Sequence, residues 1–390
     1  MRNHYRVISG LIVGAFCLSG STVRAEPLEM EINAQYRPRL EVDKRFAQET
    51  GTFITHRARI GVGAGHDDWY VYVEPQDVRA WGSEAHTASY EANMDLHQGY
   101  VEWTPRAEIN LRIGRQSIAH LNQRLIGGLN WAQQGRSFDA VRFYGSFDQV
   151  SWELWGAPLA DEAPRRARDG AIATAMARWD NAGRTLAVLG IGDMNRQAAL
   201  YRWTTGAHSS GILAGPFNYQ VEAYYQFGHQ GGEELNGYLA NAELGFTAAE
   251  LPLQPGLRAG YDILSGTTEN TTTFDTLHAT NHLFYGFMDA FMNIPGHTGE
   301  RGLQDLYLKA TGTLGATRLY TGVHHLRAGP GNEGSFGTEV DVVATVPLAP
   351  GVTWETGAAL LVAGEAFGDV RSEAPDYPMW GYSMLTATVR

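Results

Sequence analysis

Apolar and polar side chains alternate along most of the chain after residue 26. In segment 28–42, for example, Ile32 and Ala34 share one parity, whereas Arg37 and Arg39 share the other. Successive side chains of a β-strand point to opposite faces, so this period predicts strands with one apolar and one polar face. About eighteen segments of this kind follow one another to the C-terminus.

The connections between these segments alternate between short and long. The short ones are 65–67, 106–108, 181–183, 315–316 and 350–351. The long ones are 81–94, 120–137, 160–170, 267–302 and 367–378. Tight turns on one side and longer loops on the other are typical of outer-membrane barrels. The pattern therefore predicts an all-β, antiparallel, up-and-down transmembrane barrel of about sixteen to eighteen strands, with short periplasmic turns and long extracellular loops.

A soluble β-sandwich would show the same period with its apolar face turned inward. Two features favour the membrane barrel instead. Most segments are longer than the five or six residues that are about average for soluble strands. Aromatic side chains also gather towards segment ends, for example Trp69, Trp103, Trp354 and Trp380, where rings settle at the two interfaces of a bilayer.

The N-terminus has the pattern of an export signal. Arg2 and Arg6 precede an apolar stretch at 7–18, and small or apolar residues occupy the cleavage-determining positions before residue 26. We expect residues 1–25 to be removed and residues 26–390 to form the barrel. The only cysteine, Cys17, lies in the expected signal, so a cysteine-based metal site in the mature chain is excluded.

Charge narrows the range of partners. The formal net charge of −12 argues against nucleic acid as a partner. Of the 30 basic residues only two are lysines, Lys44 and Lys309. Arginine offers planar, bidentate contacts to carboxylates, which suits a channel for anionic solutes.

Two stretches resemble the alginate export family of outer-membrane barrels. The first runs from Gly114-Arg115-Gln116 through Arg124-Leu125-Ile126-Gly127 to Gly135-Arg136-Ser137-Phe138-Asp139. The second runs from Phe274-Asp275-Thr276-Leu277 through Tyr285-Gly286-Phe287-Met288-Asp289 to Gly302-Leu303-Gln304-Asp305. A further segment, Gln76-Asp77-Val78-Arg79 with Trp81-Gly82, fits the same family. The resemblance implies eighteen strands and passage of alginate through an arginine-lined lumen.

Candidate lumen residues come from the motifs and from the alternation. The resemblance points to Arg79, Arg115, Arg136 and Arg142, with Arg124 and Asp139 in matching motifs. The alternation turns Arg37, Arg39, Arg57, Arg59, Arg112 and Arg142 towards water. The two arguments disagree for Arg115, which alternation from Leu111 and Ile113 would turn outward. A second interpretation also stands, in which the arginines pair with carboxylates such as Glu74 and Glu102 and fill the barrel.

The two longest loops carry further expectations. Segment 120–137 either folds inward, placing Trp131, Arg124, Arg136 and Asp139 at or near a constriction, or packs over the rim. Segment 267–302 is too apolar for a solvated loop. It is expected to form a plug or a short helix, with one more strand pair as the alternative.

The sequence gives little support for a catalytic site or a metal site. His278 and His282 are spaced for one helix face, but no glutamate completes a metalloprotease pattern. No Gly-x-Ser-x-Gly elbow is present. We therefore expect no metal, no cofactor and no enzymatic step, with an outer-membrane hydrolase as the rival class.

The expected function is passive, anion-selective passage of an acidic polysaccharide, an alginate-like polyuronate, or its oligomers across the outer membrane. The alternative within transport is an uptake porin for small carboxylates or sugar acids. The expected partners are the anionic solute, outer-membrane lipid and periplasmic export or uptake components.

Overall fold

The computed structural model describes residues 28–83, 94–159 and 170–389. The expected signal peptide, 1–25, lies outside these residues, as do parts of two predicted loops at 84–93 and 160–169.

Eighteen β-strands make up the fold, as the alternation predicted. They are β1 Glu29–Lys44, β2 Gly51–His66, β3 Trp69–Ala80, β4 Met94–Arg106, β5 Ile109–Gln116, β6 Phe138–Phe147, β7 Val150–Pro158, β8 Gly170–Asn181, β9 Arg184–Asn195, β10 Leu200–Ala214, β11 Phe217–Gln230, β12 Glu233–Thr247, β13 Gly256–Leu264, β14 Leu303–Leu314, β15 Thr317–Arg327, β16 Ser335–Ala349, β17 Val352–Ala363 and β18 Met379–Val389.

Each strand pairs antiparallel with its neighbours in sequence, and the sheet closes on itself. The closing pair is β1 with β18, in which Ala34 lies opposite Val389 and Lys44 lies opposite Met379. The predicted up-and-down barrel is thus confirmed. Closure matters in a bilayer because every strand edge finds a hydrogen-bond partner.

The two faces of the barrel differ as the alternation requires. On β10, Trp203 is 57% exposed on the outer face, whereas its neighbour Thr204 is 1% exposed on the inner face. The same contrast recurs on β2, where Ile60 and Val62 are exposed and Arg57 is buried. Apolar side chains therefore meet lipid, and polar side chains line the lumen.

The connections sort into two sets. At one end the strands are joined mainly by tight turns, such as Asn181 to Arg184, where Ala182 and Gly183 adopt positive φ. The other end carries the long loops, including 117–137, 265–302 and 364–378, the last containing the helix Glu365–Val370. Among the described residues, no helix is both long enough and apolar enough to cross a membrane.

Two long loops fill the extracellular half of the barrel. We call residues 117–137 the crossing loop and residues 265–302 the plug loop. The plug loop contains two short 3₁₀ helices, Asn281–Leu283 and Gly296–Thr298, and no strand pair, which removes that alternative. Its apolar side chains are buried in one cluster with those of the crossing loop and the barrel wall, including Phe274, Met288, Phe291, Leu125 and Ile126.

The two loops are joined by backbone hydrogen bonds. The amide of Gly127 donates to the carbonyl of His278 at 2.8 Å, and the amide of His278 donates to the carbonyl of Leu125 at 2.9 Å. Ile126 and His278 thereby form an isolated parallel bridge. The segment expected to be either a rim loop or an inward constriction therefore lies inside the barrel.

Candidate channel lumen

Arginines lie in register on one wall of the lumen. Arg37 on β1 is directly opposite Arg57 on β2, and Arg112 on β5 is directly opposite Arg142 on β6. Like charges in register across two strands destabilise a sheet unless other groups compensate them. The hydrogen-bond partners of each arginine pair therefore show which groups offset the repulsion.

The pair on β1 and β2 holds the crossing loop. Arg37 donates to the carbonyls of Asn130 and Ala132, both at 2.8 Å. Arg57 donates to the same two carbonyls at 3.3 Å. Arg39 donates to the carbonyl of Trp131 at 3.2 Å and to Glu41 at 2.9 Å. These three guanidinium groups face inward as predicted, but they are buried behind the loop that they anchor.

The other inward arginines are less buried. The Nε of Arg59 donates to Gln76 at 3.1 Å, while its Nη2 has no hydrogen-bond partner among the described residues. Arg112 pairs with Glu102 at 2.6 Å and lies 4.1 Å from the ring centre of Tyr100.

Arg142 pairs with Glu153, its Nε donating at 2.8 Å. The alternative in which arginines pair with carboxylates thus describes Arg112 and Arg142. It does not describe Arg59, Arg37 or Arg57, for which no carboxylate partner is found in the described part of the chain.

Arg124 anchors the crossing loop to the opposite wall. Its guanidinium contacts Glu222 at 2.9 Å and Asp262 at 3.0 Å, and lies 3.7 Å from the ring centre of Phe284 in the plug loop. Burial opposes the charge of Arg124, but the facing carboxylates of Asp262 and Glu222 hold the pKa of the guanidinium well above its usual value. The crossing loop therefore spans the lumen from β1 and β2 to β11 and β13.

Arg136 fastens the crossing loop to the plug loop. Its Nη1 donates to the carbonyls of Gly127 at 2.9 Å and Ala279 at 3.1 Å, and also to that of His278. Burial lowers the pKa of Arg136 to about 10, so the side chain stays charged at neutral pH. Its role here is to satisfy backbone carbonyls at a loop junction.

Trp131 of the crossing loop packs between the plug loop and the barrel wall. Its ring stacks on His282 with centroids 4.2 Å apart, and it meets Tyr382 edge-on at 5.0 Å. The guanidinium of Arg39 lies 4.9 Å from the centre of the same ring.

Three motif residues lie on the outer face instead of in the lumen. Arg79 shares the outward parity of β3 with Val73, and it pairs with Asp77, which also contacts His56 at 2.9 Å. Arg115 and Asp139 lie opposite each other on the outward faces of β5 and β6, 3.5 Å apart. This differs from the lumen position that the motif match implied, and for Arg115 it agrees with the simple alternation. All three are near the extracellular ends of their strands, where charged groups can reach water at the membrane interface.

The carboxylates of the opposite wall were missed by the sequence analysis. Asp262 on β13 lies directly opposite Asp305 on β14, and both are buried. Glu339 on β16 accepts a hydrogen bond from the plug-loop amide of Met288 at 2.7 Å, and Asp341 accepts one from Phe287 at 3.3 Å. Their inward parity was a usable signal, because on each of these strands the carboxylate shares the polar face with other buried side chains.

Gly286 lets the plug loop approach Glu339 this closely. Its φ is +86°, and a Cβ at this position would lie 2.4 Å from the Glu339 carboxylate. A residue with a side chain would therefore be both strained and obstructed. The carboxylates of β16 and the glycine together fix where the plug loop meets the wall.

The histidines have carboxylate partners instead of metal ligation. His282 lies 2.7 Å from Asp289, and His324 lies 2.7 Å from Asp305. In the described part of the chain, no group of three or more His, Cys, Asp or Glu side chains is arranged to hold a metal ion.

One serine lies beside a histidine and a carboxylate inside the lumen. His208 is 3.2 Å from the hydroxyl of Ser210 and 3.3 Å from Glu222. A hydrolase would require Glu222 to orient the histidine. However, the same carboxylate accepts from Arg124 and from Asn122, both at 2.9 Å. Ser137 is placed similarly, 3.0 Å from His97, which lies 3.8 Å from Glu74. These two constellations are the basis that the described residues give to the rival hydrolase.

Charged side chains therefore line both sides of the lumen. Arginines in register line β1, β2, β5 and β6 together with carboxylates such as Glu41 and Glu153 that pair with some of them. A further group of buried carboxylates lies on β11, β13, β14 and β16, and the crossing loop spans the space between. A closed barrel with a lipid-facing outer surface and a charged, loop-constricted lumen defines an integral channel protein of the outer membrane.

The comparisons identify the family. The model of the family described as alginate export matches residues 26–325, and the chain belongs to that family. No curated protein matches the chain.

Solved structures with the same fold include outer-membrane proteins of two bacteria. Pseudomonas aeruginosa OccK9 (OpdG) aligns with a TM-score of 0.66 at 11% identity, covering 93% of this chain and 98% of that one. Acinetobacter baumannii OccAB4 aligns with a TM-score of 0.64 at 8% identity, covering 92% and 98%. Pseudomonas aeruginosa OpdK, in a structure with vanillate, aligns with a TM-score of 0.62 at 9% identity, again covering 92% and 98%. At these identities the likeness shows the fold alone.

Proposed function

We propose that this outer-membrane channel passes an alginate-like polyuronate, or its oligomers, passively and with selectivity for anions. The observation that carries the proposal is the pair of arginines in register on β5 and β6, Arg112 with Arg142, which point into the lumen and do not bind the crossing loop. Such pairs cost stability in a sheet. Their retention is explained by a need for concentrated positive charge beside an anion path.

The partners of these arginines suit conduction better than tight binding. A pore must attract an ion strongly enough to admit it and weakly enough to release it. Glu102 and Glu153 partly neutralise Arg112 and Arg142, whereas Arg59 bonds Gln76 and has no carboxylate partner among the described residues. We infer a path along β1 to β6, past Arg59, Arg112 and Arg142, with no catalytic step.

The proposal is tested by the reversal potential in planar bilayers under a salt gradient. Arg59→Gln, Arg112→Gln and Arg142→Gln together should lower the anion-over-cation permeability ratio by roughly a hundredfold at low salt, because each of the three charges contributes on the order of 1 kcal/mol. The effect should shrink as salt screens the lumen.

The outward-facing arginines provide the matched control. Arg79→Gln with Arg115→Gln removes two cations of the same type from the outer face and should leave the reversal potential unchanged. A ratio that stays at the wild-type value in the lumen triple variant would refute anion selection by this wall. A serine-directed covalent probe that labels Ser210 would instead support the hydrolase.

Uptake of small carboxylates is the second candidate for the same lumen. It is supported by the shared fold of OpdK, whose solved structure is with vanillate. The two candidates differ in size of solute: an oligouronate that blocks and then crosses the channel favours the first, and passage of monomeric acids alone favours the second.

A further inference from the structure

A cavity of about 430 Å³ lies beneath the plug loop, on the side of the lumen away from the arginine wall. Its walls come from β11 to β15 and its roof from Phe284 and Phe287 of the plug loop. It reaches Thr247 and Gly256, which stand at the turn end of β12 and β13. The cavity therefore faces the periplasmic mouth, and its size falls within the usual range of small-molecule sites.

The cations of this cavity are more available than its carboxylates. Lys309 forms no ion pair with any described residue, and its Nζ lies 4.5 Å from the ring centre of Tyr307. Arg258 is 55% exposed and lies 3.2 Å from Glu243. Glu243 also accepts from the Tyr307 hydroxyl at 3.0 Å.

Asp262, the other acid of the cavity, is occupied by the buried guanidinium of Arg124 at 3.0 Å and by the Asn241 amide at 2.7 Å. An incoming carboxylate would thus find the ammonium of Lys309 free to pair, while the nearby acids are already hydrogen-bonded.

An aromatic ring with one free face stands beside these cations. Phe287 is stacked between Tyr320 and His282, whose ring centres lie 4.9 and 4.8 Å from its own. Of this stack, only Tyr320 can therefore offer a face to the cavity that it lines. A ring-shaped solute can lay one face against Tyr320 while a charged substituent reaches Lys309.

We propose that this cavity binds a carboxylate carried on a six-membered ring, with Lys309 and Arg258 taking the carboxylate and Tyr320 the ring. Both a hexuronate unit and a benzoate-type acid have this chemistry. The inference rests on the proposed function in assuming an anionic solute, but it places a binding site on a different wall from the arginine path.

Block of the channel current tests the site. Glucuronate and benzoate are added separately on the periplasmic side, with methyl glucoside and benzyl alcohol as uncharged counterparts. We expect at least one acid, and neither neutral compound, to block in a saturable manner. Lys309→Gln should raise the half-blocking concentration roughly tenfold, because it removes one charged contact, and Lys309→Arg should largely retain it.

Lys44→Gln is the matched control, since it removes the only other lysine, which lies at the extracellular end of β1. Block that is equal in wild type, Lys309→Gln and Lys44→Gln would overturn the inference. So would the absence of block by both acids. Block by glucuronate alone would identify a uronate as the ligand, and block by benzoate alone would identify an aromatic acid.

A second measurement uses the wild-type protein and does not depend on how the variants fold. Carbodiimide-activated glucuronate or benzoate forms an amide with an accessible lysine, and peptide mass spectrometry reads which lysine carries it. Excess unactivated acid should suppress labelling at Lys309 and not at Lys44. Equal labelling with and without the competitor at Lys309 would overturn the site.

The test of the Lys309 site can fail or succeed independently of the test of the proposed function. Lys309→Gln should weaken block, as stated, with little change in reversal potential, whereas neutralising Arg59, Arg112 and Arg142 should shift the reversal potential with block retained. An unchanged reversal potential in the arginine variant would refute the proposed selectivity and leave the Lys309 measurement to stand by itself.

Discussion

Replacing Arg124 by methionine should release the crossing loop from the carboxylate wall. Arg124 is 2% exposed and contacts two carboxylates, Glu222 and Asp262, that are themselves buried. Methionine keeps the apolar stem in contact with Phe284 but leaves both acids without their cation. Removing one partner of a buried ion pair costs about 3 to 5 kcal/mol.

A loss of this size is enough to shift the equilibrium between the docked and the released crossing loop. A loss of about 3 kcal/mol shifts a two-state equilibrium by roughly a hundredfold. The barrel strands themselves keep all of their ladder hydrogen bonds, so the loss should appear as loop release and not as unfolding. We therefore expect higher conductance with frequent transitions between levels, because the crossing loop obstructs the extracellular half of the lumen.

Single-channel recording of wild type and Arg124→Met measures this directly, and protease sensitivity of residues 117–137 in intact cells gives an independent reading. Arg115→Met serves as the control, since the Arg115 pair with Asp139 lies half-exposed on the outer face and such pairs contribute at most about 1 kcal/mol. If conductance, noise and cleavage in Arg124→Met equal those of the control, then Arg124 does not hold the loop.

Two further predictions concern the junction of the crossing and plug loops. Arg136→Met leaves the carbonyls of Gly127, His278 and Ala279 without their donor. We therefore expect the amide hydrogens of the plug loop to exchange faster, while the protection of the β-strands is unchanged. Equal protection of residues 276–282 in the wild type and the variant would contradict this. Burial and the nearby Arg136 lower the pKa of His278 from 6.5 to about 4, so the docked plug disfavours the protonated ring. Docking of the plug loop is then strongest above pH 6.5 and weakens as the pH falls towards 4. Current noise in the wild-type channel should rise over that interval. A His278→Gln channel with the same pH profile would show that another group titrates.

The outward position of Arg79 and Arg115 illustrates the limit of a motif match. The family motif marks these arginines, but a motif carries no strand parity. In β5, Arg115 has the same parity as Ile113, and the register with β6 places it opposite Asp139. Alternation alone gave the right face for Arg115, because no extra residue interrupts β5 between Leu111 and Gln116.

The sequence by itself determined the barrel, its approximate strand bounds and the inward face of Arg37, Arg57, Arg112 and Arg142. These follow from local periodicity, since a bilayer forces every strand to present apolar side chains to lipid and every backbone group to find a partner in the sheet. The turn chemistry at short connections likewise acts within a few residues.

Only the tertiary structure decided which groups the inward charges bind. Arg57 and Arg59 are two residues apart and share one face, yet Arg57 holds crossing-loop carbonyls whereas Arg59 bonds the Gln76 side chain of the barrel wall. The difference arises because Asn130 and Ala132 return across the lumen from far along the chain. Contacts of this kind depend on how long loops fold back between opposite walls, and no local pattern of residues encodes that path.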